Sequence, residues 1–179
     1  FDATQRSSTT GVKANSWVAE PWWENARKFD YEVVIKQLKE YFDKNEAPSN
    51  EPSARLFFAK AYLWTGQYDH AKNQFKALIE KAPETEEGLE ALFRLGLLHL
   101  RLGNPQVAVE VFDRLIATGK EKNPLTTRYW RARALEKMGE KQKFEAERAS
   151  LISQYPFTYF GLKLRAEIEN GTLQFESVP

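Results

Sequence analysis

Hydrophobic positions recur at helical spacing along most of the chain. Val34, Leu38 and Phe42 lie four residues apart, close to one face of a helix that Asp30 can cap and that runs to about Lys44. Pro48, Ser49, Asn50 and Pro52 end it. From Pro52, Ala59, Ala61, Tyr62 and Leu63 mark a helix that stops at Gly66. Asp69 then starts a partner helix with Ala71, Phe75 and Leu78 facing inward, closed by Pro83. Thr85 opens the next helix, with Glu86, Glu87 and Glu90 near its electropositive N-terminus and Leu89, Leu92, Phe93, Gly96 and Leu100 following. Gly103 ends it. Asn104 with Pro105 reads as a cap and first-turn proline before Ala108, Val111, Phe112 and Leu115, and Gly119 stops that helix. Asn123 and Pro124 repeat the start signal before Tyr129, Ala132, Leu135 and Met138. After Gly139 come Phe144, Leu151 and Ile152, then Pro156. A last helix from about Thr158 carries Phe160, Leu164 and Ile168 and fades at Asn170 and Gly171. The pattern predicts an all-α chain of about eight helices without strands.

Gly66, Gly103 and Gly139 lie 37 and 36 residues apart, a period typical of helical-hairpin repeats. The expected layout is a flexible leader over 1–16, N-terminal capping helices over 17–51, three divergent hairpins plus a C-terminal helix over 52–171, and a tail over 172–179. Small polar residues such as Ser7, Ser8, Thr9 and Thr10 dominate the leader and offer little apolar surface to offset ordering entropy. Trp17, Trp22, Trp23 and Phe29, around Pro21, are expected to cover the first open face of the array. Small residues at Ala59, Gly96 and Ala132 allow close approach of paired helices, while Phe75 and Phe112 fill the space between hairpins.

Composition narrows the chemistry. The 179 residues carry 26 Lys and Arg against 25 Asp and Glu, so no strong field recruits nucleic acid or an anionic membrane. The absence of cysteine excludes disulfides, thiolate zinc sites and a cysteine nucleophile without fixing the compartment. No apolar run approaches the roughly 20 residues of a membrane helix, and the chain opens at Phe1, which reads as a processed or truncated product. His70 and His99 are the only imidazoles and fall in different repeats, so packing outweighs metal or base chemistry. Glu84, Glu86, Glu87 and Glu90 read as a solvated helix start. No glycine-rich phosphate loop occurs. No cofactor, metal ligand or catalytic residue is expected.

Ala59, Tyr62, Gly66, Tyr68, Ala71, Phe75 and Pro83 fall at the spacing of the tetratricopeptide repeat, and this stretch resembles that family. The second hairpin keeps Gly96, Gly103, Ala108 and Phe112, with His99 in place of an aromatic and Lys120 in place of the closing proline. The third keeps Ala132, Gly139 and Pro156. The resemblance implies an α-solenoid whose first helices line a concave groove. Lys60, Trp64, Arg101, Tyr129, Arg133 and Lys137 would face it, a mixture of cations and aromatics suited to a peptide carboxylate or a glycan.

A second resemblance covers Tyr155 to Glu167 (YPFTYFGLKLRAE), which is similar to the last hairpin of the superhelical domain of soluble lytic transglycosylases, with Phe160 in place of a tyrosine. It implies a non-catalytic module of a periplasmic peptidoglycan-processing protein whose catalytic domain would follow residue 179. Glu176 and Ser177 lack the surroundings of that family's catalytic glutamate. The alternative is a free-standing adaptor, periplasmic or cytoplasmic, that binds a partner protein's peptide in its groove.

Overall fold

The computed structural model describes residues 30–44 and 51–170, and these form eight helices without strands. They are α1 (Tyr31–Lys44), α2 (Glu51–Trp64), α3 (Tyr68–Lys81), α4 (Glu86–Arg101), α5 (Pro105–Thr118), α6 (Pro124–Lys137), α7 (Lys141–Gln154) and α8 (Tyr159–Asn170). The pairs α2–α3, α4–α5 and α6–α7 are antiparallel hairpins stacked in chain order, with α1 before them and α8 after. The leader, the tail and the aromatics Trp17, Trp22, Trp23 and Phe29 lie outside the described residues, as do Glu176 and Ser177.

One closure, used three times, makes the hairpins. Gly66, Gly103 and Gly139 have φ of 76°, 77° and 77°, a left-handed conformation that costs a residue without Cβ nothing. The following amide reaches back to the helix: Gln67 donates to the Tyr62 carbonyl (2.9 Å), Asn104 to His99 (2.9 Å) and Glu140 to Leu135 (3.0 Å). The expected asparagine caps differ from the structure. Pro105 and Pro124 do occupy the first turn, but neither Asn104 nor Asn123 caps its helix through its side chain. At Asn104 the backbone is already committed to closing α4.

Hairpin-to-hairpin junctions use a second device. At Pro83–Gly88 and again at Pro156–Gly161 the sequence reads Pro-x-Thr-x-x-Gly. Thr85 accepts from the Gly88 amide (3.1 Å) and donates to the Ala82 carbonyl (2.9 Å); Thr158 does the same with Gly161 (3.2 Å) and Tyr155 (2.9 Å). Each glycine is forced by that carbonyl. A Cβ would lie 2.0 Å from Ala82 O at Gly88 and 1.9 Å from Tyr155 O at Gly161.

The core runs the length of the stack. Val34, Ile35 and Leu38 of α1 join Phe58, Tyr62, Phe75, Leu78, Leu92 and Leu95, and the cluster continues through Ala108, Phe112 and Ala134 to Tyr129, Leu135, Leu151 and Leu164. Phe75 and Phe112 are 0% exposed, as the wedges between hairpins require. Gly96 shows why: a Cβ there would sit 2.5 Å from the Phe112 ring. The sequence places Ile168 on the inward stripe of the last helix, yet it is 56% exposed. Among the described residues no helix follows α8 to cover the face carrying Ile168.

Candidate functional site: the concave face

The first helices of the hairpins touch one another. The helix α2 meets α4, α4 meets α6 and α6 meets α8, whereas α3, α5 and α7 do not approach each other. Closer spacing on one side than the other bends the array, so α2, α4 and α6 form its inner surface. Counting back from the three glycines, positions thirteen, nine, six and two residues earlier fall on that surface. They are Ser53, Phe57, Lys60 and Trp64 on α2; Glu90, Arg94, Leu97 and Arg101 on α4; and Thr126, Trp130, Arg133 and Lys137 on α6.

Polar links across the surface agree with this register. Ser53 donates to Glu87 (2.6 Å), and Lys60 pairs with Glu90 (2.7 Å), both joining α2 to α4. Arg94 pairs with the same Glu90 oxygen (2.7 Å). Burial pushes the Glu90 carboxyl up, but the hydrogen bonds from Lys60 and Arg94 outweigh it and hold the group below its ordinary value. Two recesses flank this ridge. One of about 230 Å³ lies toward α2 beside Ser53, Phe57 and Lys60, and one of about 490 Å³ lies toward α6 beside Phe93, Arg94 and Thr126.

The six residues expected to line the groove divide. Lys60 is on the inner face, but its charge is committed to Glu90. Trp64 is 49% exposed, its ring against Tyr31 (4.6 Å) and edge-on to Phe57 (6.4 Å). Arg101 is exposed at the end of α4 and lies over the Tyr68 ring (5.1 Å). Lys137 is exposed at the end of α6.

Tyr129 is 3% exposed and stacks on Phe160 (4.2 Å) inside the core, not on the open surface. It lies ten residues before its glycine, in the same column as Leu56 and Phe93. Arg133 faces inward but is largely covered, bonded to Glu167, Glu136 (3.0 Å) and the Tyr129 hydroxyl (3.1 Å). Burial opposes its charge, yet those partners raise its pKa above the ordinary arginine value.

Glu87 and Glu90 read as part of a solvated helix start in the sequence; the structure sets them in the groove against α2. The missed signal is the 37-residue register, which puts Glu90 in the column of Ser53. The same alignment picks out Arg94 and Trp130. Among the described residues, no group of three or more histidine, aspartate and glutamate side chains is placed to hold a metal ion. His70 stacks on Tyr62 (4.9 Å), and His99 is buried. No helix among the described residues is long and apolar enough to cross a membrane.

This arrangement defines an all-α, tetratricopeptide-like helical-repeat protein. The family model described as tetratricopeptide repeat matches residues 58–124, from the middle of α2 to the first residue of α6. Similar solved structures include MamA 41-end from Desulfovibrio magneticus RS-1, at 16% identity and TM-score 0.68, over 90% of this chain and 88% of that one. A second MamA structure is 20% identical with TM-score 0.66, over 83% of each chain. The nearly identical TPR-like repeats of a Podosopora anserina protein assigned to the kinesin light chains give 18% identity and TM-score 0.64, over 85% of this chain and 84% of that one. At these identities the likeness is one of fold. No curated protein matches the sequence significantly.

Proposed function

We propose that this chain is a non-catalytic scaffold that holds a peptide segment of a partner protein along the concave face of α2, α4 and α6. The observation that carries this is the inner surface itself: three helices in one register, two recesses between them, and an ion-paired ridge at Glu90 that ties α4 to α2. Recesses between rigid helices suit side chains of an extended or helical segment, and a rigid surface lowers the ordering cost of binding it.

The narrower reading, a superhelical module of a periplasmic peptidoglycan-processing enzyme, rests on Tyr155–Glu167. That segment has a local explanation. Pro83–Gly88 builds the same junction from the same residue types, so the pattern from Pro156 to Gly161 answers to hairpin stacking in general. None of the structural relatives named above is a lytic transglycosylase. The adaptor reading therefore has the better support, and peptidoglycan fragments serve as a negative control.

Peptides selected from a random display library on the wild-type protein are expected to lose affinity for Phe57→Ala and Arg94→Ala, both on the inner face. They should keep it for Glu110→Gln on the outer helix α5. Selection of peptides that ignore the inner-face variants, or binding of glycan fragments in their place, would contradict the proposal.

A further inference from the structure

Two of the three junctions between hairpins are tight, and one is not. The segments 82–85 and 155–158 each join helices with four residues and a threonine-capped turn, whereas α5 and α6 are joined by five residues, Gly119 to Asn123, with no counterpart of that turn. The recess between α4 and α6 is about 490 Å³, twice the 230 Å³ of the one beside the tight junction. It lies within the roughly 300–1,000 Å³ of small-ligand pockets.

Its lining is unevenly satisfied. Leu89, Phe93 and Leu115 contribute apolar surface. Of the cations around it, Arg94 is committed to Glu90 and Lys120 to Glu84 (3.0 Å), leaving Lys122, which is exposed. The carboxylates of Glu86 and Glu121 have no partner among the described residues, and Glu121 Oε2 is buried without any hydrogen bond. A carboxylate oxygen withdrawn from water and left unpaired is costly, and a cationic donor restores the balance. Leu89 and Phe93 offer an aliphatic stem a surface to lie along, as long basic side chains do.

We propose that this recess is a socket for one lysine or arginine side chain of the segment bound in the groove, its stem on Leu89 and Phe93 and its charge at Glu86 and Glu121. The proposal rests on the groove reading above and specifies the chemistry that the groove selects. The cations and aromatics expected from sequence suit a peptide carboxylate or a glycan; the pairing of Lys60 with Glu90 and the two unpaired carboxylates favour a cation at the centre of the array.

The test is an NMR titration of the full chain with acetyl-arginine methylamide, compared with the norleucine and glutamate analogues. The arginine probe is expected to shift amides in Glu86–Arg94 and Lys120–Thr127 and to bind about fivefold or more tightly than norleucine, as a charge-assisted hydrogen bond implies. Glu86→Gln and Glu121→Gln should each remove most of that preference, while Glu145→Gln on α7 leaves it unchanged. Equal binding of arginine and norleucine, a preference for glutamate, shifts confined to other helices, or an unaltered response in Glu121→Gln would each overturn the socket. Display-selected peptides that bind the groove without a basic residue would sink the socket and spare the groove reading. An arginine probe seated here while no peptide is ever selected would do the reverse.

Discussion

The hairpins α2–α5 and the segment α6–α8 solve the same stacking problem with different chemistry. In the first region the wedge between hairpins is an aromatic ring, beside the Lys60–Glu90 pair of the inner face: Phe75 and Phe112 occupy equivalent positions on α3 and α5, each fully buried against a neighbouring helix. In the second, the equivalent position on α7 is Arg148, and the aromatic has moved one turn earlier to Phe144, where Ala71 and Ala108 stand in the first two hairpins. The leucine column persists unchanged as Leu78, Leu115 and Leu151, and so does the isoleucine after each, Ile79, Ile116 and Ile152. Arginines on α6 supply the rest. Arg128 pairs with Glu147 (2.8 Å) and bonds Gln154 (2.8 Å) and Ser150 (3.0 Å), Arg131 bridges to Asp113 on α5, and Arg133 holds Glu167 on α8.

The difference teaches how a repeat can lose its signature and keep its geometry. Partly buried ion pairs hold helices in register but stabilise less than packed aromatics, because desolvation offsets most of the attraction. The stack is therefore expected to be firm at its centre and looser toward α8.

The largest effect should come from the centre. Phe112→Ala removes a wholly buried ring and should cost about 3–5 kcal/mol in denaturant unfolding, by lost burial plus a cavity. Next is Gly96→Ala. In a helix interior this change normally gains up to about 1 kcal/mol, but here the new Cβ strikes the Phe112 ring, and a net loss of about 1–3 kcal/mol is expected. Pairing it with Phe112→Leu should recover part of that loss; a stabilised Gly96→Ala would refute close packing at this seam.

Arg133→Ala should cost about 1–3 kcal/mol, felt locally as faster exchange of α8 amides while α3–α5 are unaffected. The smallest effect concerns pH. Burial, then the positive charges of Lys72 and Lys76, lowers the His99 pKa below the ordinary 6.5. The folded state thus binds its proton more weakly than the unfolded chain. Stability should be full above about pH 7 and decline as pH falls from 6.5 through the lowered folded value. The depressed carboxyls of Glu51 and Glu90 act in a separate, more acidic window, losing their contribution as pH falls below 4.5. His99→Gln should flatten the upper window in urea titrations and leave the lower one intact.

Much of the fold is legible in the sequence because its signals are local. A glycine at the left-handed turn, a threonine cap and an apolar stripe each declare themselves within one helix. What is not legible depends on the neighbouring hairpin. Tyr129 is covered by Phe160 of α8, thirty-one residues later, and whether Lys60 carries a free charge depends on Glu90 thirty residues later. The recess between α4 and α6 lies beside a loop one residue longer than its counterparts, a difference that becomes visible only once the junctions are aligned.

Hydrogen exchange resolved helix by helix most directly tests the claim that this is a chain of hairpins, each shielded by the next, with an apolar centre and an ion-paired end. Slowest exchange is expected in α3, α4 and α5, intermediate rates in α6 and α7, and the fastest in α8. A single common opening rate for all eight helices, or greatest protection in α6–α8, would contradict it.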